Sequence, residues 1–247
     1  MIIFDTLKLL NLYEYLRVTY CSALITYQKI MIALIIGATG ATGKDLVYQL
    51  LQDSDFKEVH VFVRKPLDIN NSKLNVHIVD FNKPEEWKDL VKGDVAFSCL
   101  GTTLKAAGSK EAQRKIDVDY QYEFAKIAKE NGVEDFILVS AYGADSKSKI
   151  FYSQLKGELE QKIKDLHFNK VTIFQPGMLE RKSSDRFGEV TGGKVIKLIN
   201  KLGLLKSQKP LPTKVLAHAM INASKIKSNG YSKIKLGSIF SFAGKHN

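Results

Sequence analysis

Gly37-Ala38-Thr39-Gly40-Ala41-Thr42-Gly43 follows the apolar run Ile32 to Ile36 and opens the amphipathic stretch Lys44 to Gln52. Strand, glycine-rich turn and helix in this order build a place for a dinucleotide pyrophosphate. One glycine makes the tight turn, one lets the backbone approach the phosphates, and one lets helix and strand pack closely. The first amides of the helix have no partner inside it and meet the negative charge. The spacing is GxxGxxG, looser than GxGxxG, so the surrounding pattern must carry the reading. The rival phosphate loop, GxxxxGK followed by Ser or Thr, is excluded. It needs glycine where Ala38 stands and a hydroxyl where Asp45 stands.

From Met31 the chain alternates short apolar runs with helical patterns. Val59–Val63, Leu74–Val79, Asp94–Cys99, Phe136–Val139 and Val171–Phe174 read as the second to sixth strands, apolar enough to be buried on both faces of a parallel sheet. Lys44–Leu51, Pro84–Val91, Glu111–Glu130 and Tyr152–Leu166 read as helices between them, with Pro84 at a start and Gly132 just past an end. A last helix is expected over Lys214–Lys225 with Thr213 as its N-cap. Repeated βα units predict an α/β fold, a Rossmann-type doubly wound parallel sheet with helices on both faces. Ligands in such sheets bind beyond the carboxyl ends of the strands, so the residues after each strand are the ones to inspect.

After the second strand, where an acid would bond a ribose 2′-hydroxyl, stand Arg64 and Lys65. A guanidinium fork suits a 2′-phosphate, which predicts NADP(H) in preference to NAD(H); the plainer reading is two exposed basic residues on a loop. Asp80 is placed either to bond an adenine amino group or to cap the following helix. The fourth strand ends Cys99-Leu100-Gly101-Thr102-Thr103, where Gly101 lets the backbone line the ribose and pyrophosphate. Cys99 has no His or cation near it in sequence and reads as a buried structural thiol. Tyr152 and Lys156, four apart, share one helix face. A phenol near pKa ~10 becomes a usable proton carrier when an ammonium stabilises the phenolate.

With these residues in place, the core resembles the atypical short-chain dehydrogenase/reductases, and within them the Tat-interacting-protein-like, NADPH-binding oxidoreductase branch. The resemblance covers about residues 31 to 225. Gly37–Gly43, Asp80, Leu100-Gly101-Thr102-Thr103, Tyr152-Ser153-Gln154-Leu155-Lys156 and Gln175-Pro176-Gly177 carry it, with Val139 to Asp145 and Lys156-Gly157-Glu158 its most specific segments. It implies an NADPH-dependent oxidoreductase acting on a small carbonyl compound. Tyr152 would be the proton carrier, Lys156 the ribose ligand and Ser140 the hydroxyl that orients the substrate carbonyl. Gly37, Thr39, Gly40, Ala41, Thr42, Gly43, Arg64, Lys65, Asp80, Cys99, Leu100, Gly101 and Thr102 would line the cofactor. Pro176 and Gly177 would border the nicotinamide, and Leu179 and Arg186 would reach toward it. It also implies a small C-terminal helical lid from about residue 178, including the basic pattern Lys194–Leu205, which read alone could sit on a membrane surface. Two departures stand out: Ala141 replaces a second hydroxyl, and Gln175 an Arg. They leave an alternative open, an NADPH-binding regulatory or interaction module with little turnover. Sugar-nucleotide epimerisation is a third option, for which the chain after the sixth strand is short.

Composition bounds the rest. The 247 residues suit one domain over 31–247, preceded by residues 1–30, which read as an over-extended start, a packing helix or a surface anchor. Two distant cysteines fit a reducing compartment, and a cytoplasmic site is expected. The five histidines lack metal-ligand spacing, so no metal is expected. The net charge of +11 is confined to Val190–Asn247, which holds eleven lysines and no acid, leaving 26 basic and 26 acidic residues before it. Few aromatics accompany those lysines, so no nucleic-acid partner is expected. A small-molecule substrate and a monomer or homodimer are.

Overall fold

The computed structural model describes residues 30–180 and 210–244. The chain divides between Ile30 and Met31, and every element below belongs to the second unit, Met31–Asn247. Apolar runs become strands β1 (Met31–Ile36), β2 (Phe56–Val63), β3 (Leu74–Ile78), β4 (Val95–Ser98), β5 (Asp135–Val139) and β6 (Lys170–Gln175). A short pair, β7 (Leu179–Glu180) and β8 (Leu211–Pro212), forms a separate two-stranded sheet, and β9 (Gly230–Lys235) closes the main one. The main sheet is parallel throughout, in the order β3-β2-β1-β4-β5-β6-β9. Chain order reverses between β1 and β4, which opens a crevice at their carboxyl ends.

Alternation along β1 separates two cores. Ala33 and Ile35 pack with Leu46, Val47 and Leu50 of α1 (Ala41–Gln52), and with side chains from the C-terminal helices, among them Met220 and Ile239. Leu34 and Ile36 face the other side, with Trp87, Phe124 and Leu159. Both sheet faces are therefore covered, as the uninterrupted apolar strands require. The remaining helices are α2 (Leu104–Ala107), α3 (Lys110–Arg114), α4 (Tyr120–Glu130), α5 (Phe151–Lys164), α6 (Thr213–Lys225) and α7 (Ser238–Phe242).

Four local expectations are corrected. Pro84–Val91 forms two 3₁₀ turns, Pro84–Glu86 and Lys88–Leu90, not a helix. Trp87 sits between them with a non-helical ψ of -2° and φ of -134°, its indole buried and its Nε1 donating to the Asp80 carbonyl at 3.0 Å. Between α3 and α4, Lys115–Asp119 is π-helical, a widening that often marks a functional position. Thr213 is the first residue of α6 rather than its cap, and its hydroxyl donates to Asp45 at 2.6 Å. The seventh strand of the main sheet, β9, was not expected at all. The lid pattern Lys194–Leu205 and the leader lie outside the described residues.

On the face carrying Phe62, His60 and His77 share a hydrogen bond of 2.9 Å, and His77 stacks on Phe62. Burial, then the neighbouring His60, lowers the pKa of His77 below its ordinary 6.5. The unfolded chain therefore binds a proton near pH 6.5 that the folded chain resists, so stability is full above that pH and falls as pH drops below it. Thermal melts from pH 7.5 to 5.5 should show this acid loss, and His77→Phe should flatten it; equal slopes in the two proteins would contradict the assignment.

Candidate active site

The glycine turn takes the shape its order predicts. Gly37 adopts φ +79°, in the left-handed region open to glycine. A Cβ at Gly37 would lie 2.4 Å from the backbone of Cys99 and Leu100, and one at Gly43 would lie 2.1 Å from the Gly37 carbonyl oxygen. Both glycines are thus required by backbone approaching backbone. Gly40 is the N-cap of α1 and brings no side chain to cap it. The Gly40 amide donates to Gly37 and that of Lys44 to Gly40. Among the described residues nothing accepts from the amides of Ala41, Thr42 and Gly43. Three donors at a positive helix end are left for an anion.

Contact with Gly37 carries the site to the end of β4, and Gly101 carries it further. A Cβ at Gly101 would stand 3.2 Å from Asp117 Oδ1 and 3.7 Å from Lys156 Nζ. Asp117 is fully buried on the π-helical segment and joins three elements. Its Oδ1 accepts from the Thr102 amide at 3.1 Å and pairs with Lys156 Nζ at 3.4 Å, while Oδ2 accepts from Gln113 Nε2 at 3.2 Å. Gln113 also donates to the Thr102 carbonyl. Lys156 Nζ lies 5.8 Å from the centroid of the Tyr152 ring. Lys156 is 3 % exposed and Tyr152 40 %, so the ammonium is held inside while the phenol faces outward. Burial pulls the Lys156 pKa down, but the neighbouring Tyr152, Asp117 with its hydrogen bond, and Glu160 outweigh it and hold the ammonium above its ordinary value.

The other residues singled out from sequence fall around this line. Arg64 and Lys65 are exposed directly after β2. Asp80 is exposed after β3; its Oδ1 accepts from the amide and side chain of Asn82, which makes a turn and leaves the cap reading without support. Those bonds lower the Asp80 pKa. Burial pushes the Cys99 thiol up to about 12, which suits a structural thiol and not a nucleophile. The Pro176 carbonyl accepts from the Tyr142 amide at 2.9 Å, tying the loops after β5 and β6. Leu179 lies in β7, opposite Leu211, and packs on the core beside α1. Ser140 is set apart: its hydroxyl is buried and donates to Glu160. Arg186 lies outside the described residues.

Sequence reasoning missed Asp117, Gln113 and Glu160. Gln113, Asp117, Gln121, Phe124 and Ala128 share the buried face of one long helical stretch, and three polar residues on a core stripe were the available signal. Lys156 and Glu160, four apart and both buried on α5, gave the same signal. Asp117→Asn removes the counter-charge of a buried ammonium and should cost roughly 3 kcal/mol. A lower urea midpoint would register it, and an unchanged midpoint would show that Lys156 does not depend on Asp117.

A family model described as NAD(P)H-binding matches residues 37–197. Rat Protein HTATIP2 is 39 % identical over 149 residues, 59 % of this chain and 61 % of that protein. Protein FMP52-1, mitochondrial, of Scheffersomyces stipitis is 37 % identical over 161 residues, 62 % of this chain and 70 % of that protein. The chain thus spans about two thirds of the length of these relatives. Among solved structures, UDP-glucose 4-epimerase of Thermotoga maritima with UDP-glucose has a TM-score of 0.64 at 13 % identity, over 83 % of this chain and 76 % of that one, a likeness of fold. The glycine turn, the parallel sheet and these matches agree: the chain belongs to the NAD(P)H-binding family, in the HTATIP2-like branch of the atypical short-chain dehydrogenase/reductases.

Proposed function

We propose that the protein is an NADPH-dependent reductase of small carbonyl compounds. The observation that carries this reading is the unbroken run of contacts from the helix-end amides through Gly37, the β4 end, Gly101 and Asp117 to Lys156 and Tyr152. It runs along the carboxyl ends of the central strands, which supports a dinucleotide lying across the crevice from the open amides to Tyr152 and Lys156.

The residues divide the work. Amides of Ala41, Thr42 and Gly43 hold the diphosphate, Arg64 with Lys65 the 2′-phosphate, and Lys156 the nicotinamide ribose hydroxyls. Thr39, Asp80, Cys99, Leu100, Thr102, Pro176, Gly177 and Leu179 complete the lining. The bound cofactor supplies the hydride. Tyr152 Oη gives its proton to the alkoxide forming on the substrate, and the neighbouring ammonium stabilises the phenolate left behind. Asp117 meets that ammonium and the Thr102 amide together, and so links the loop after β4 to the helix bearing the acid.

A second reading, an NADPH-binding module without turnover, is favoured by Ala141 and by the commitment of the Ser140 hydroxyl to Glu160. The compartment is open to both. No described helix is long and apolar enough to cross a membrane, the cytoplasmic expectation rests on the cysteines alone, and the fungal relative is named mitochondrial.

Tyr152→Phe should reduce NADPH oxidation with an aldehyde panel by about 10³-fold, while the NADPH dissociation constant stays within about twofold because the phenol is not assigned a cofactor phosphate. Full activity in that variant would refute the acid role; a wild type that binds NADPH and reduces nothing would favour the module. Arg64→Ala should weaken NADPH roughly 10- to 100-fold, the worth of one charge-assisted contact. Binding of NADH should be unaffected, and equal losses for both nucleotides would remove Arg64 from the 2′-phosphate.

A further inference from the structure

Behind Lys156 lies a second buried polar cluster that the reaction above does not use. Glu160, one turn beyond Lys156 on α5, is 2 % exposed. Its Oε1 accepts from Ser140 Oγ at 2.5 Å and from Gln175 Nε2 at 2.7 Å. Its Oε2 has the Lys233 ammonium at 2.6 Å and, among the described residues, no hydrogen-bond partner besides. The cluster therefore ties α5 to the carboxyl ends of β5, β6 and β9. Ser140 and Gln175 are themselves only 4 % and 3 % exposed.

Hydrogen-bond inventory fixes what each member can do. An ionised carboxylate only accepts, and a serine hydroxyl has one proton and two lone pairs. The proton on the Ser140–Glu160 bond is therefore the serine's, and it is already spent. We propose that Glu160 is a positioning residue that accepts the one hydrogen bond Ser140 can donate, and so removes Ser140 from the donors open to a substrate carbonyl. This rests on the reductase reading for the carbonyl substrate, and it reverses the expected role of Ser140. A hydroxyl committed to Glu160 cannot donate to a substrate carbonyl oxygen. Among the described residues, Tyr152 is then the side-chain donor the proposed reaction gives that oxygen. Gln175, standing where an Arg was expected, fits the same logic: it supplies Glu160 with a second donor without a second charge.

Proton NMR tests the assignment without turnover. A charge-assisted O–H···O bond in a buried site exchanges slowly with water and resonates downfield. Wild-type protein should show such a hydroxyl resonance, absent in Ser140→Ala and moved upfield in Glu160→Gln. It should persist when NADP⁺ and 4-nitrobenzaldehyde are added together. Its disappearance on adding the aldehyde would mean that Ser140 turns to donate to the carbonyl, and its absence from the wild type would mean the hydroxyl is not held; either result overturns the proposal.

Should both variants melt too early for spectra, a thermal double-mutant cycle decides. Ser140→Ala should lower Tm by about 3 °C in the wild-type background and by less than half as much in Glu160→Gln. Additive losses would overturn the coupling. Lys170→Met, which breaks the ion pair with Asp135 at the opposite end of the sheet, should lower Tm while leaving the resonance in place; loss of the resonance there would reduce Glu160 to a general structural role. Failure of the wild type to reduce aldehyde would count against the reductase reading alone.

Discussion

The Gly37 carbonyl oxygen occupies the space a side chain at position 43 would need, and this close approach governs the rest of the molecule. It brings α1 against the end of β1 with its first amides open, because neither Gly40 nor any neighbour caps them. Leaving helix donors unmade costs stability unless water or a ligand meets them. Here they stand at the one point where the strand order reverses, beside the backbone of Cys99 and Leu100. The open helix end is thus a consequence of packing two backbones without Cβ atoms between them.

A buried ion pair extends that run of contacts to Tyr152, the proposed proton carrier. Asp117 and Lys156 would each be costly inside the protein alone; together, with Thr102 and Gln113 donating to the carboxylate, both are satisfied. The π-helical widening is what brings Asp117 to this place within a helical stretch whose remaining inward residues are largely apolar. The arrangement keeps an ammonium charged beside the Tyr152 ring, where a lone buried lysine would tend to lose its proton. One turn on, Glu160 repeats the device with Lys233, so α5 carries two buried charges on one face, each held by a partner from another element.

Much of this was legible in the residues. Runs such as Ala33 to Ile36 and Phe136 to Val139 are apolar on both faces and read as central parallel strands, and the turn between Gly37 and Gly43 announced its ligand. The spacing of Tyr152 and Lys156 put them side by side on one helix, where Lys156 Nζ lies 5.8 Å from the Tyr152 ring centroid. What was hidden has a common cause: polar residues whose partners come from far along the chain. Asp117 and Glu160 look like solvated helix residues until Lys156, Ser140 and Lys233 are brought to them. Ser232, Lys233 and Lys235 disguise β9 as a loop, because an edge strand pairs through its backbone and leaves its side chains polar. The helix expected over Pro84–Val91 failed because burying the Trp87 ring outweighs local propensity.

The most direct measurement is a crystal structure of the protein soaked with NADPH. Diphosphate oxygens within about 3 Å of the Ala41, Thr42 and Gly43 amides are the predicted result, with the nicotinamide end beside Tyr152. Nucleotide bound elsewhere, or a helix end still closed by water when the nucleotide is in place, would contradict it.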